Sequence, residues 1–512
     1  MLGTFALVAG IYTWLSSGTR SKLRLPPGPP QLPIVGNLFS MTARPWEACM
    51  QWSRRYNSDI IHLNLAGTSV IVLSSFAATE ALLEKRASIY SDRPAFPMAG
   101  DLMGWDFLLG EPFSTISDSR TLTFESTHEI RRIHRRLFTE GLNDISEFRA
   151  VLRNSVHSLL GRVMVEPQDY LNHLHQMAGE MMMSVAYGME PKATNSHLIA
   201  LAEEATKAFS DVMIPGQYLV DFIPILRHLP NWFPGAGFKR IAQGGKLLAS
   251  AVRDIPFNET KEKIESGTAR PCFTVNALHE LEQGKNYYQE LTVKNVAAMM
   301  YLAGADIIVS TLSTFMLAML VNPDAQKKAQ QELDSVLGVG NLPNFCDEEA
   351  LPYTAAVVKE VLRWKNAEGV GVPHRLTVDD EYEGYHLPAG SIVFGNVWAI
   401  LHDEVEYPEP LEFLPERFLL NGKHNPAVRD PHECAFGFGR RICPGRGLGH
   451  SSIWITIASL LATIDIKKEI GSDGCPIEPS YEFSGGIVFS PLPFKCAITP
   501  RSPQAAASVQ AT

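Results

Sequence analysis

Ten residues near the C-terminal end, Phe-Gly-Phe-Gly-Arg-Arg-Ile-Cys-Pro-Gly (436–445), constrain this chain more tightly than any other stretch. Gly437, Gly439 and Gly445 let a main chain fold closely around the Cys443 sulfur, where a Cβ would clash. A helical apolar pattern follows from Gly447 to about Thr463, and the backbone N–H groups leading into it suit a negatively charged sulfur. The other cysteines, at 49, 272, 346, 434, 475 and 496, bring the count to seven, an odd number with no CxxC pair. That is neither a disulfide framework nor zinc spacing, and it suits a reducing, cytosol-facing domain. Cys434, nine residues upstream of Cys443, lacks the glycine setting and reads as structural.

Each part of the loop has a task if a heme lies against it. A thiolate pushes electron density onto iron and favours O–O cleavage. Phe436 shields the sulfur from water, and Arg441 pairs with a heme propionate. A glycine-rich turn around a buried free cysteine explains fewer of the matched features.

No internal repeat or Ser/Gly linker divides the 512 residues, so one large domain is the economical organisation. A net charge of -10 argues against nucleic acid, which requires a clustered basic excess. Ile60–Leu65 and Val70–Leu73 flank Ala66-Gly67-Thr68 as a β-hairpin. Helical periodicity marks Asn172–Tyr187, Ser196–Val212, Lys239–Val252 and Ala350–Lys365. Thr292 reads as the N-cap of a long helix ending at Leu320, before Asn322-Pro323. Asp221–Phe238, with three prolines, is a loop or short turns. Short strands with turns at Gly384 and Ala389-Gly390 fill Val372–Phe394, and strand-like pieces close the chain between Phe483 and Ile498. The fold class is mainly α with a small β region.

These features together resemble the cytochrome P450 family, specifically a fungal, basidiomycete-like microsomal member. Glu360-Val361-Leu362-Arg363 resembles its ExxR motif, in which a glutamate and an arginine three apart share a helix face. Pro415-Glu-Arg-Phe418 resembles the later motif whose arginine completes a buried network with that pair. Leu25-Pro-Pro-Gly-Pro-Pro30 resembles the hinge of membrane-bound members. The resemblance implies heme b with its iron axially ligated by Cys443, electrons from an NADPH-cytochrome P450 reductase, and a lipophilic substrate of terpenoid or polyketide type in fungal secondary metabolism. It also implies Arg375, after His374, as a propionate contact.

The N-terminus fits this. Leu2–Leu15 is apolar, and Arg20, Lys22 and Arg24 follow it, the reverse of a cleaved signal peptide. The expected layout is a membrane anchor helix over 1–19, a basic and Pro-rich hinge over 20–36, a catalytic domain over 37–500 and a disordered tail over 501–512. An apolar run shorter than the roughly 20 residues of a full span requires thinning or tilt of the bilayer. Positive charge after the run places the body on the cytoplasmic face of the endoplasmic reticulum membrane.

Two places depart from the family. Ala303-Gly304-Ala305-Asp306 resembles the AGxDT oxygen-binding motif, in which Gly304 leaves room beside the iron and Asp306 relays protons. The usual threonine, however, is Ile307, which has no hydroxyl to pass on a proton. Thr311 lies on the same face one turn later, about 5.4 Å away. A substrate hydroxyl or water that supplies the proton, a reaction other than standard hydroxylation, and poor activity all stay open. The second departure is Ile130–Phe138, IRRIHRRLF, where alignment on Arg135 as the propionate arginine puts Arg131 in place of the usual tryptophan. The preceding Glu111–Glu129 is polar and aperiodic, either a loop over the heme or a wrongly spliced segment. Arg131, Arg132, Arg135 and Arg136 form either a reductase-docking cluster or a solvated helix face.

By the same resemblance the pocket walls come from Phe96–Leu109, Ile214–Phe222, the Ala303 helix face, Glu368–Val372 and Ser484–Phe489. They are mostly apolar, with Trp105, Phe107, Phe222 and Phe489 among them. Glu368 is the exception, either a contact for a substrate hydroxyl or amine or an outward-facing carboxylate. The segment Pro230–Phe238 resembles a loop that dips into the membrane. The competing functions are a heme-thiolate isomerase, dehydratase or desaturase, motivated by Ile307, and an inert heme-binding homologue, motivated by residues 111–131.

Overall fold

The computed structural model describes residues 23–511 except 41, 43, 110–123, 191–195, 214–216, 222, 285–286 and 486–487. The Leu2–Leu15 segment and most of Glu111–Glu129 therefore lie outside the described residues. The helices that position the site are α1 (Pro45–Tyr56), α2 (Phe124–Gly141), α3 (Arg149–Val165), α4 (Tyr170–Tyr187), α5 (Ser196–Val212), α6 (Phe238–Glu265), α7 (Glu290–Val321), α8 (Pro323–Leu337), α9 (Pro352–Trp364), α10 (Arg446–Thr463) and α11 (Pro503–Gln510). The strands that matter here are β1 (Ile60–Leu65), β2 (Thr68–Leu73), β3 (His374–Arg375), β4 (Ile392–Gly395), β5 (Ile464–Lys467) and β6 (Ala497–Pro500). The fold is mainly helical with small sheets, as expected.

Helix α7 organises the core. It is apolar on every side, so only burial all round satisfies it, and every residue from Ile308 to Leu320 is buried. Among the described residues it is the one helix long and apolar enough to cross a membrane, but 72% of its most apolar stretch is buried within the protein. It starts one turn earlier than the sequence suggests. Gln289 is the N-cap, and Thr292 sits at the third helical position and completes a capping box with it. Helix α6 runs on through Pro256, against the usual cost of an interior proline. Burial of Pro256, Phe257 and Thr260 sustains it, with the Thr260 hydroxyl bonded to the Tyr187 carbonyl at 3.1 Å.

The β1–β2 hairpin forms as predicted, with Ala66 and Gly67 both at positive φ (49° and 96°), the backbone of a tight two-residue turn. Strand order in its sheet is β1-β2-β4-β3, with β2 parallel to β4. Of the strand-like pieces expected near the end, only β6 forms a ladder, antiparallel to β5, while Phe483 and Pro491 make an isolated bridge.

The tail is not disordered. Residues Pro503–Gln510 form α11, capped by the Ser502 hydroxyl on the Ala505 N–H at 3.0 Å. Ala505 and Val509, four apart and therefore on one face, are both buried. Arg501 fastens the start of the helix to Asp334 of α8 at 2.7 Å. Low hydrophobicity hid this short apolar stripe.

Candidate active site

The ligand loop enters α10 as the sequence implies, with the Cys443 N–H donating to the Phe436 carbonyl at 2.8 Å. The glycines act differently from expectation. Gly439, at φ +54°, has its Cβ direction blocked by the Leu83 carbonyl oxygen at 2.1 Å, so it is backbone approach and not the sulfur that demands glycine. Gly437 is required by its φ of +78°, and at Gly445 a Cβ would meet nothing closer than 3.7 Å. Phe436 stacks on His432, centroids 5.6 Å apart. Burial pushes the Cys443 thiol up to about 11, against the Gly445 N–H and the charges of Arg135 and Arg446. A heme iron bound here would be held by the deprotonated Cys443 sulfur, and its charge would oppose that rise.

Beside this loop, guanidinium groups from separate parts of the chain converge on Tyr90–Arg93. Arg131 pairs with the buried Asp92 at 3.1 Å, and Arg375 reaches the other Asp92 oxygen at 3.7 Å. Arg441 donates to the Ser91 carbonyl at 2.7 Å, and Arg93 to the Val372 and Pro373 carbonyls. Buried His374 bonds the Tyr90 carbonyl and is pushed down to about 3 by burial and by the Arg93 and Arg441 charges. Guanidinium groups gathered from four segments beside the ligand loop are the chemistry that receives two propionates, so these residues fit a heme. Arg135 is elsewhere. It donates to the Ile442 carbonyl at 2.7 Å, bracing the ligand loop. The basic cluster on α2 is also split, since Arg131 and Arg135 turn inward while Arg132 and Arg136 pair outward with Glu129 and Glu140.

Below the loop, Glu360 and Arg363 of α9 are fully buried. All five Arg363 N–H groups are used, on both Glu360 oxygens and on the carbonyls of Leu401, Pro410 and Glu412. Glu360 also accepts from the Leu414 N–H at 2.8 Å and from Arg417 at 3.3 Å. The network ties α9 to the segment that leads to the ligand loop.

On α7, Ala303 is exposed although Tyr301, Leu302 and Ile308 around it are buried. Gly304 points to another side of the helix, its Cβ direction running into Met182 of α4 at 2.6 Å. The glycine allows close packing of α7 on α4. The Thr311 hydroxyl donates to the Ile307 carbonyl at 2.8 Å, which ties it to its own helix. Asp306 lines a cavity of about 10 Å³ with His175, Glu203 and Tyr301, room for one water. His175 and Glu203 stand 3.6 Å apart across its outer side. Burial raises the Asp306 carboxyl above its ordinary range, with His175 opposing and Glu203 reinforcing. Trp105 and Phe489 are fully buried in packing against Phe209 and against Trp46 and Phe483, so these expected pocket aromatics belong to the core.

Sequence reasoning missed Asp92, Arg93, His175 and Glu203. The adjacent charges of Ser-Asp-Arg-Pro (91–94) are a faint local signal for the first two. The others are brought to Asp306 only by the packing of α4 and α5 on α7.

A fold built on one buried helix, with a cysteine loop beside a cation cluster, is the arrangement a heme-thiolate protein would present. The sequence profile described as Cytochrome P450 matches residues 26–498. The chain is 42% identical over 510 residues to cytochrome P450 monooxygenase ple1 of Rhodocybe pseudopiperita, covering 98% of this chain and 94% of that one. It is 42% identical to cytochrome P450 monooxygenase 98 of Postia placenta, over 99% and 96% of the two chains. To tryptamine 4-monooxygenase of Psilocybe cyanescens it is 37% identical, over 98% of each chain. The protein belongs to the cytochrome P450 family and is a P450 monooxygenase.

Proposed function

We propose that the protein oxidises a lipophilic small molecule in fungal secondary metabolism, with Cys443 as the axial ligand of heme b and electrons from an NADPH-cytochrome P450 reductase. The observation that carries this reading is the Cys443 loop lying under a convergence of arginines that suits two propionates. Arg93, Arg131, Arg375, Arg441 and His374 would hold those propionates, and Arg135 keeps the ligand loop in place through Ile442. When bound, the heme supplies reductive activation of dioxygen, which the thiolate favours.

The chain's own part is to exclude water, orient the substrate and move protons. Asp306 takes a proton from the water-sized cavity that His175 and Glu203 open toward solvent, and burial, which raises its carboxyl, favours holding that proton for transfer inward. Asp306 lies about 60° around the helix from Ala303, next to the exposed Ala303 face. Ile307 leaves the last transfer to a water or a substrate hydroxyl. Membrane association is supported by the exposed side chains of Ile225, Trp232 and Leu247, at 74%, 80% and 70%, and by the apolar N-terminal run. A terpenoid or polyketide skeleton is in keeping with the apolar core around α7. Turnover with reductase, NADPH and isotopically labelled dioxygen tests the reading: label in the product supports it, and product formed without oxygen overturns it.

A further inference from the structure

Four titratable side chains from three separate segments stand end to end beside the ligand loop. The His432 Nδ1 lies 2.7 Å from an Asp430 carboxylate oxygen, and its Nε2 lies 2.9 Å from the His450 Nδ1. The His450 Nε2 in turn lies 2.7 Å from a Glu348 oxygen. His432 opens the short helix His432–Ala435, His450 is on α10, and Glu348 belongs to the 3₁₀ turn Phe345–Ala350. All four are partly shielded, with side chains 25–33% exposed. Lys359 of α9 closes the Asp430 end, its ammonium 2.8 Å from the second carboxylate oxygen. Against burial, the hydrogen bonds from His432 and Lys359 hold the Asp430 carboxyl well below its ordinary range.

Three contacts of hydrogen-bond length require three protons. A neutral imidazole has one N–H and one lone pair, so two neutral rings supply only two. With both outer nitrogens donating to carboxylates, the inner nitrogens would then meet lone pair to lone pair at 2.9 Å. A third proton removes that clash. It resides on the rings, because an imidazole is more basic than a carboxylate by about two units. The two rings together therefore carry one positive charge, and with the Lys359 ammonium they balance the two carboxylates.

This charge is one aromatic ring away from the cysteine loop. His432 stacks on Phe436, centroids 5.6 Å and planes 21° apart. Helix α10 meets the same ring at Gly449, where a Cβ would lie 3.7 Å from it. The Phe436 carbonyl takes the Cys443 N–H at 2.8 Å. A positive charge in that position favours ferrous over ferric heme, since reduction adds an electron. We propose that His432 and His450 are positioning residues that jointly hold one positive charge behind Phe436 and thereby raise the reduction potential of the heme on Cys443. This rests on the thiolate ligation of the reading above and gives a role to residues outside the propionate cluster and α7.

The test is a spectroelectrochemical titration of the heme-loaded full chain, with a reduced-CO spectrum of each variant to confirm thiolate ligation. His450→Leu removes the second ring and with it the need for a third proton. It should lower the ferrous-to-ferric ratio at a fixed applied potential by a factor on the order of ten, about 59 mV for a one-electron couple. His450→Lys puts N–H donors and a positive charge back between His432 and Glu348, and should recover most of that loss. A merely structural role for the ring gives lysine no such power. If His450→Leu does not load heme, His432→Phe takes its place, with the same fall expected, because it keeps a ring on Phe436 and removes both nitrogens. A ratio in the neutral variant at or above the wild-type value, or a His450→Lys ratio as low as that of His450→Leu, overturns the proposal. A thiolate band missing from the wild type defeats the ligation reading itself, whereas the band present in every chain with an unmoved potential defeats only the role of the histidine pair.

Discussion

Replacing Glu360 by glutamine keeps the side chain's shape and removes its charge, which isolates the worth of the buried network. Four N–H donors converge on the two Glu360 oxygens, two from Arg363, one from Leu414 and one from Arg417. An amide offers one oxygen and one NH₂, so at least one of these donors would face another donor. Arg363, with no exposed surface, and Arg417, nearly buried, would keep their charges without a counter-ion. Breaking a buried pair from one side costs about 3–5 kcal/mol, a large share of the 5–15 kcal/mol that holds a typical domain together. Urea unfolding of the heme-loaded Glu360→Gln chain should therefore show a much lower midpoint at unchanged slope. The double variant Glu360→Gln/Arg363→Met should lose less than the sum of the two single losses, because the second change removes the uncompensated charge. A Glu360→Gln variant within about 1 kcal/mol of the parent would refute the reasoning.

Asp306→Asn should lower the rate of product formation by about 10²–10⁴, and His175→Gln by a smaller factor in the same direction, both read in single-turnover experiments. Ile307→Thr should raise the fraction of NADPH electrons that end in product, and unchanged coupling would show that the missing hydroxyl is immaterial. Gly439→Ala must displace the Leu83 carbonyl and should lose heme retention on gel filtration, whereas Gly437→Ala should cost only about 1–2 kcal/mol of left-handed backbone strain. Val509→Asp should destabilise the chain by at least about 2 kcal/mol in thermal unfolding, since α11 docks through that side chain.

The parts legible in the sequence were those with local signals. The glycine loop around Cys443, the 32-residue apolar helix and the Ala66-Gly67 turn each follow from spacing and backbone preference, and the structure forms them. Contacts between distant segments were not legible. Asp92 meets Arg131 and Arg375 only because three separate segments pack together. Nor was the packing of Met182 of α4 against the motif glycine Gly304 on α7 legible. Trp105 and Phe489 have the composition of pocket walls but the packing of core residues, a distinction that periodicity cannot make.

The reduced-CO difference spectrum of the heme-loaded chain tests the central claim, thiolate ligation by Cys443, most directly. The account predicts the band characteristic of thiolate-ligated heme in the wild type and its loss in Cys443→Ser. The same band persisting in Cys443→Ser, or absent from the wild type, would contradict it.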